Sequence, residues 1–121
     1  MIPIVGEQGT LAAMTTPGAV QGHAALFSNG FEPRNEFIPR AALGMSFYSP
    51  LRKAGGVGCP LLVQVCTDDP ITPAAPARKV AERAPEGRLI EYAGDHFDIY
   101  VGELFERAVA DQVAFLDAQL R

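Results

Sequence analysis

The stretch "CPLLVQVCTDD", Cys59 to Asp69, decides the fold that we expect for this chain. It is a continuous run of strand-forming apolar residues that follows a proline and ends in two aspartates. Runs of this kind are typical of strands covered on both faces, as in parallel sheets. The stretch therefore predicts a buried strand whose carboxyl end carries two acidic side chains.

The residues that follow predict a helix, a second strand and a second helix. Thr72-Pro73 opens a helix that runs to about Ala84, and the segment "PEG" turns the chain. "RLIEY" predicts the second strand, and a helix follows over about 102–120. The apolar stripe of this last helix consists of Phe105, Val109, Val113, Leu116 and Leu120. A strand–helix–strand order implies parallel strands, so we expect an α/β fold with a short parallel sheet of two main strands flanked by helices.

The first half of the chain is rich in proline and glycine and predicts loops with short helices. The best helical pattern runs over about Asn35–Tyr48, where Asn35 could be the N-cap and Pro39 could fall in the first turn. A second short helix is predicted over about Gly18–Phe27. "SPLRKAGG" predicts one helical turn ended by glycines.

Composition narrows the classes of protein and partner. The chain has 121 residues, of which 48% are hydrophobic, and this indicates a folded globular protein. Its net charge of −4 argues against nucleic acid or an anionic membrane as partner, and its longest basic run is only Arg52-Lys53. No apolar stretch approaches the roughly 18 residues of a membrane span. The N-terminus has no basic region of a signal peptide, so we expect a cytoplasmic protein.

The cysteines and histidines give no sign of a disulfide, a metal or another cofactor. Cys59 and Cys66 flank the first predicted strand, which holds them too far apart for a disulfide, so reduced thiols are expected. There is no CxxC or HExxH motif, and His23 and His96 are isolated in the sequence. We therefore expect neither a zinc site nor a cofactor.

Acidic residues and a histidine follow the two predicted strands. Asp68 and Asp69 end the first strand, and His96, in "AGDHFDIY", follows the second. Because parallel strands bring their carboxyl ends to one edge, an Asp and a His are expected to meet there. An Asp that fixes the tautomer of a His leaves the other ring nitrogen free to act as a general base. Two other interpretations stay open: His96 bonded to loop backbone, and Asp69 holding the turn or capping the next helix.

Taken together, "CPLLVQVCTDDPITP" and "GDHFDIY" with the helix after it resemble the C-terminal part of the α/β-hydrolases. The resemblance covers about residues 57–121 and implies a partial α/β-hydrolase fold acting on a small ester- or amide-type substrate. It assigns the acid to Asp69, with Asp68 as the less favoured alternative, and the base to His96. Residues 1–56 resemble the cap and connecting region of that family only loosely.

The nucleophile of that family is missing. No G-x-S-x-G motif occurs, and the serines are Ser28, Ser46 and Ser49. The resemblance therefore implies a truncated or split hydrolase that is inactive alone and takes its serine from a missing N-terminal segment or a partner chain. The alternative is a non-catalytic dimerising or binding domain with hydrolase ancestry. A thiol enzyme using Cys66 and His96 is a more distant hypothesis.

The short sheet also predicts self-association. Two parallel strands make a poor sheet alone, and the run Leu61–Cys66 would expose an apolar face and an unpaired edge. We expect a homodimer that extends the sheet or buries these apolar faces.

Overall fold

The computed structural model describes residues 1–27, 31, 33–45 and 47–120, with only the backbone described for Ala42 and Met45. In these residues helices accompany a two-stranded parallel sheet, so the α/β class expected from the sequence is confirmed. The chain divides into two compact units, Met1–Ser49 and Pro50–Arg121.

The Met1–Ser49 unit contains two short helices, α1 (Ala19–Ala25) and α2 (Arg40–Met45). Its other described residues form no regular strand, and they pair only through isolated bridges from Ile2 to Phe37 and from Val5 to Met14. The prediction of a short helix over about 18–27 is confirmed by α1. Gly18, just before α1, has a φ of 83°, a left-handed conformation that glycine adopts without strain.

The helix predicted over Asn35–Tyr48 is shorter than expected, and its predicted cap is wrong. Asn35 binds the N-terminal backbone instead: Oδ1 accepts the N–H groups of Ile4 and Val5, both at 2.9 Å, and Nδ2 donates to the Val5 carbonyl at 2.8 Å. Pro39 precedes α2 rather than lying in its first turn. A proline disfavours the helical conformation of the residue before it, so the predicted helix does not extend back through Ile38, and α2 begins at Arg40. Ser28 and Ser46 lie outside the described residues.

The Pro50–Arg121 unit follows the predicted order closely. α3 (Pro50–Lys53) and a 3₁₀ turn (Ala54–Gly56) lead into the strand–helix–strand–helix segment. That segment consists of β1 (Leu61–Cys66), α4 (Ala74–Arg83), β2 (Gly87–Tyr92), a 3₁₀ turn (Asp98–Tyr100) and α5 (Gly102–Gln119). The predicted elements are therefore confirmed here, and α4 begins just after the predicted Thr72-Pro73 start.

The two strands are parallel, with Leu61 opposite Gly87 and Cys66 opposite Tyr92. The core beside their carboxyl ends contains Cys66, Tyr92 and Ala108, with Ile90, Ile99 and Leu104 packed against it. At the other end, a Cβ on Gly87 would overlap the backbone carbonyl of Ala81 at the end of α4. The tight α4-to-β2 connection therefore requires glycine at this position.

The two long helices use their apolar residues differently. α4 buries Ala74 and Ala81, whereas α5 buries only Ala108. The stripe predicted on α5 is largely exposed, with Val113 at 53%, Leu116 at 50% and Leu120 at 81% of full exposure. Small Ala108 lies against the sheet, and a sheet of two strands offers little surface to a helix of 18 residues. No helix in the described part of the chain is long and apolar enough to cross a membrane.

Candidate acid–base site

The loop after β1 is organised by the Asp69 side chain. Its Oδ1 accepts the backbone N–H groups of Ile71 and Thr72, both at 2.8 Å, in the pattern of an Asx turn. The prediction that Asp69 holds the turn is confirmed. The alternative that it caps the following helix is wrong, because the N-cap of α4 is Pro73 and no side chain caps it.

The loop after β2 is fixed by its own acidic side chains. Asp95 Oδ1 accepts the N–H of Phe97 at 2.9 Å, and Asp98 Oδ2 accepts the N–H of Asp95 at 2.8 Å. A Cβ on Gly94 would lie 3.0 Å from that Asp98 oxygen, so the loop closes tightly around glycine. His96 lies between these two turns, with its ring edge-to-face against Phe97 at a centroid distance of 4.9 Å.

The two loops bring Asp69 and His96 into contact. His96 Nδ1 lies 2.8 Å from Asp69 Oδ2, and the two side chains are 23% and 7% exposed. The prediction that these residues meet at the carboxyl edge of the sheet is confirmed as geometry. Asp68 does not take part: it is exposed, and its carboxylate accepts a hydrogen bond from the neighbouring Thr67 hydroxyl at 3.2 Å.

The charge state of Asp69 fixes the proton on His96. Burial would raise the pKa of Asp69, but hydrogen bonds from Thr72, His96 and Ile71 outweigh it and lower the pKa to about 2. An ionised carboxylate only accepts hydrogen bonds, so Nδ1 must carry the proton in the contact with Oδ2. Nε2 then holds the lone pair of the neutral ring. It makes no hydrogen bond to any residue that the structure describes.

A cavity of about 500 Å³ adjoins this pair. Asp69, Thr72 and His96 line it beside apolar side chains that include Ile71 and Ile99. The cavity therefore combines a few polar groups with an apolar lining, as in many small-molecule sites.

Cys66 also lines the cavity but is poorly suited to act as a nucleophile. It is buried, and burial together with the negative charge of Asp69 raises the pKa of its thiol. The thiol is the unreactive form of cysteine, so the structure disfavours a Cys66–His96 thiol enzyme. Cys59 and Cys66 are both free of disulfides. Across the described ranges, no cluster of three or more His, Cys, Asp and Glu could hold a metal ion.

Sequence reasoning missed one residue of the site, Thr72. It was expected only to open α4, yet its hydroxyl donates to Asp69 Oδ2 at 2.6 Å and lies 3.2 Å from His96 Nδ1. The signal was its position three residues after the turn-forming Asp69, which is close enough along the chain for the hydroxyl to reach that carboxylate.

Comparison with known proteins finds a similarity to a protein named for quorum quenching. The chain is 37% identical over 116 residues to the quorum-quenching protein AidA of Acinetobacter baumannii (strain MDR-ZJ06). The match covers 96% of this chain but only 38% of that relative, so the chain spans less than two fifths of the relative's length. No protein-family model and no solved structure matches.

This finding corrects the identification as the C-terminal part of an α/β-hydrolase. The similar protein carries the name of a quorum-quenching protein, not that of a hydrolase fragment. The prediction of a truncated or split hydrolase is therefore wrong, as is the alternative of a domain with hydrolase ancestry. The topology of a parallel sheet alone brings the loops after its strands, with any aspartate or histidine that they carry, to the carboxyl edge. Two short motifs in such loops were therefore not sufficient to establish a family.

Proposed function

We propose that this chain acts in quorum quenching and that His96, oriented by Asp69, is the general base of its site. One observation carries the base role: the 2.8 Å contact between His96 Nδ1 and Asp69 Oδ2 leaves Nε2 with its lone pair unused among the described residues. The similarity to AidA supports the quorum-quenching part of the proposal.

The chemistry follows from the two ends of the imidazole ring. Nε2 takes a proton from the signal molecule or from a water bound beside it, which makes the ring positively charged. The Asp69 carboxylate stabilises that charge across the Nδ1–H bond and holds the ring in place. A positioned base of this kind contributes a factor of roughly 100 to 10,000 to the rate of a reaction.

The cavity supports a small, largely apolar signal. Its volume of about 500 Å³ falls within the range of roughly 300–1,000 Å³ that is usual for small-molecule sites. Its described lining contains no lysine or arginine, the side chains that usually neutralise an anionic ligand. The site therefore favours a signal without a strong negative charge.

Loss of signal from solution tests this function. The purified protein is incubated separately with an N-acyl lactone and with an alkyl quinolone, and each compound is followed by mass spectrometry. We expect at least one compound to be consumed and His96→Gln to slow its loss by about 100-fold or more. His23→Gln is the matched control, because the His23 ring packs against Phe27 and lines a different cavity, and it should keep the activity. Unchanged activity in His96→Gln would exclude the base role.

We also propose that the chain forms a homodimer through α5 and the edge of β1. Among the described residues, β1 pairs only with β2, so its other edge has no partner strand. The exposed stripe of α5 includes Val113 and Leu116, and both Leu62 of β1 and Leu116 line one groove. In a dimer with two-fold symmetry, the free edge of β1 lies against the same edge of the second copy, and the α5 stripe packs against the second copy's stripe. One interface therefore covers both surfaces.

Light scattering across a concentration series tests the dimer. We expect the mass of a dimer at high concentration and of a monomer for Leu116→Glu. Ala114→Glu is the matched control, because it adds the same charge to an exposed position of α5 away from the stripe. A monomeric wild-type protein at every concentration would contradict the proposal.

A further inference from the structure

Thr72 holds both oxygens of the Asp69 carboxylate at once. Its backbone N–H donates to Oδ1 at 2.8 Å, and its hydroxyl donates to Oδ2 at 2.6 Å. One residue therefore contacts the carboxylate with two groups in fixed relation to each other. These two hydrogen bonds limit rotation of the carboxylate about its terminal bond, a torsion that is otherwise soft.

The same hydroxyl oxygen faces the imidazole ring. Thr72 Oγ1 lies 3.2 Å from His96 Nδ1, next to the 2.8 Å contact of Nδ1 with Asp69 Oδ2. A hydroxyl has one proton, and the short bond to Oδ2 uses it. Oγ1 therefore presents only lone pairs to Nδ1, so both neighbours of Nδ1 require a proton on that nitrogen.

We propose that Thr72 is a positioning residue that holds the Asp69 carboxylate where Oδ2 meets His96 Nδ1 and thereby fixes which ring nitrogen of His96 carries the proton. Thr72 does not touch the reacting atoms in this account and acts only through Asp69 and His96. The proposal rests on the base role proposed above for its effect on turnover, but the geometry of the three side chains stands without it.

Thr72→Val and Thr72→Ser separate the hydroxyl from the rest of the side chain. Valine keeps the shape and the backbone N–H bond to Oδ1, but it puts a methyl group where Oγ1 contacts Oδ2 and Nδ1, which excludes a replacing water. Serine keeps the hydroxyl and loses only the methyl group. Thr72 is exposed at the end of a loop, so neither change disturbs the core.

The experiment is NMR of the wild-type protein and both variants, without any signal molecule. The Asp69 carboxyl carbon is titrated with acid, and the ¹⁵N shifts of the His96 ring report its tautomer. In Thr72→Val we expect the pKa of Asp69 to rise from about 2 by about one unit or more, because a charge-assisted hydrogen bond is lost. The His96 ring should change from the Nδ1–H form to a mixture of both tautomers. Thr72→Ser should match the wild-type protein in both measurements.

The possible results distinguish a failure of this positioning role from a failure of the proposed function. If Thr72→Val titrates like the wild-type protein and keeps the same tautomer, or if Thr72→Ser changes as much as Thr72→Val, the positioning role is wrong. If the NMR changes appear as expected but the wild-type protein consumes no signal, Thr72 positions the pair and the proposed function fails. Where signal is consumed, Thr72→Val should slow its loss by about tenfold and Thr72→Ser should restore the rate.

Discussion

The Pro50–Arg121 unit contains two polar clusters that use hydrogen bonds in opposite ways. One is centred on Tyr92, which is 2% exposed. Its hydroxyl donates to Asp111 Oδ2 at 2.7 Å and accepts from Gln64 Nε2 at 2.8 Å, and Gln112 donates to Gln64 Oε1 at 2.6 Å. This cluster joins β1, β2 and α5, and the Tyr92 hydroxyl both donates and accepts a hydrogen bond within the protein.

The other cluster lies at the carboxyl edge of the same sheet. Asp69 accepts hydrogen bonds from Ile71, Thr72 and His96, yet Nε2 of His96 is left without a partner among the described residues. The comparison teaches where chemistry can occur in this unit. A cluster with its polar atoms paired internally stabilises the fold, whereas one that orients a ring and leaves one nitrogen unused can accept a proton from a ligand.

The largest effect expected from this contrast is the loss of activity without loss of stability in His96→Gln. Signal consumption should fall by about 100-fold or more. The free energy of unfolding in urea should change by less than about 1 kcal/mol, because the His96 side chain is partly exposed and glutamine can still donate to Asp69. A large drop in stability would place His96 with the structural cluster instead.

The Tyr92 cluster should affect the free energy of unfolding at alkaline pH. Burial, followed by the hydrogen bond to Asp111, raises the pKa of Tyr92 from 10.0 to about 12. A raised pKa in the folded protein contributes stability below pH 10 that is lost as the pH rises from 10 to 12, an effect of about 2–3 kcal/mol. Urea unfolding of the wild-type protein and Tyr92→Phe across this range measures it. Tyr92→Phe should lose the part of the slope due to Tyr92, and an equal slope in both proteins would contradict the assignment.

The Asp69 cluster should have the opposite pH dependence, because its contribution to the free energy of unfolding is lost at acid pH. The pKa of Asp69 is lowered from 3.8 to about 2, so its contribution is present above pH 3.8 and is lost as the pH falls toward 2. The effect is about 2 kcal/mol. Urea unfolding of Asp69→Asn between pH 5 and pH 2 should lack this part of the acid dependence, whereas Asp68→Asn, at the exposed neighbour, should keep it. Equal acid dependence in Asp69→Asn and the wild-type protein would show that the carboxylate is not held as described.

The sequence predicted the strand–helix–strand–helix segment well because its signals are local or topological. The apolar run of β1 and the Thr72-Pro73 start of α4 depend on near neighbours, and the meeting of Asp69 with His96 follows from parallel strand order. The residue pattern alone did not decide whether Asp68 or Asp69 contacts His96. That assignment came only from the family resemblance. The structure supports Asp69 even though the family identification was wrong.

Other features depended on contacts that no local pattern encodes. Asn35 resembles a helix cap, but its partners Ile4 and Val5 lie about thirty residues away. The role of Thr72 depends on a side-chain conformation rather than on residue type. The stripe of α5 has helical periodicity, yet periodicity shows only that one face is apolar. It does not show that this chain alone supplies a surface to cover that face.

The central claim is that Asp69 holds His96 with its proton on Nδ1 and its lone pair on Nε2. The most direct test is the set of ¹⁵N shifts of the His96 ring at about pH 9, where an ordinary histidine is neutral. The account predicts a protonated Nδ1 and a bare Nε2 in the wild-type protein, and a mixture of the two forms in Asp69→Asn. A proton found on Nε2 in the wild-type protein would contradict it.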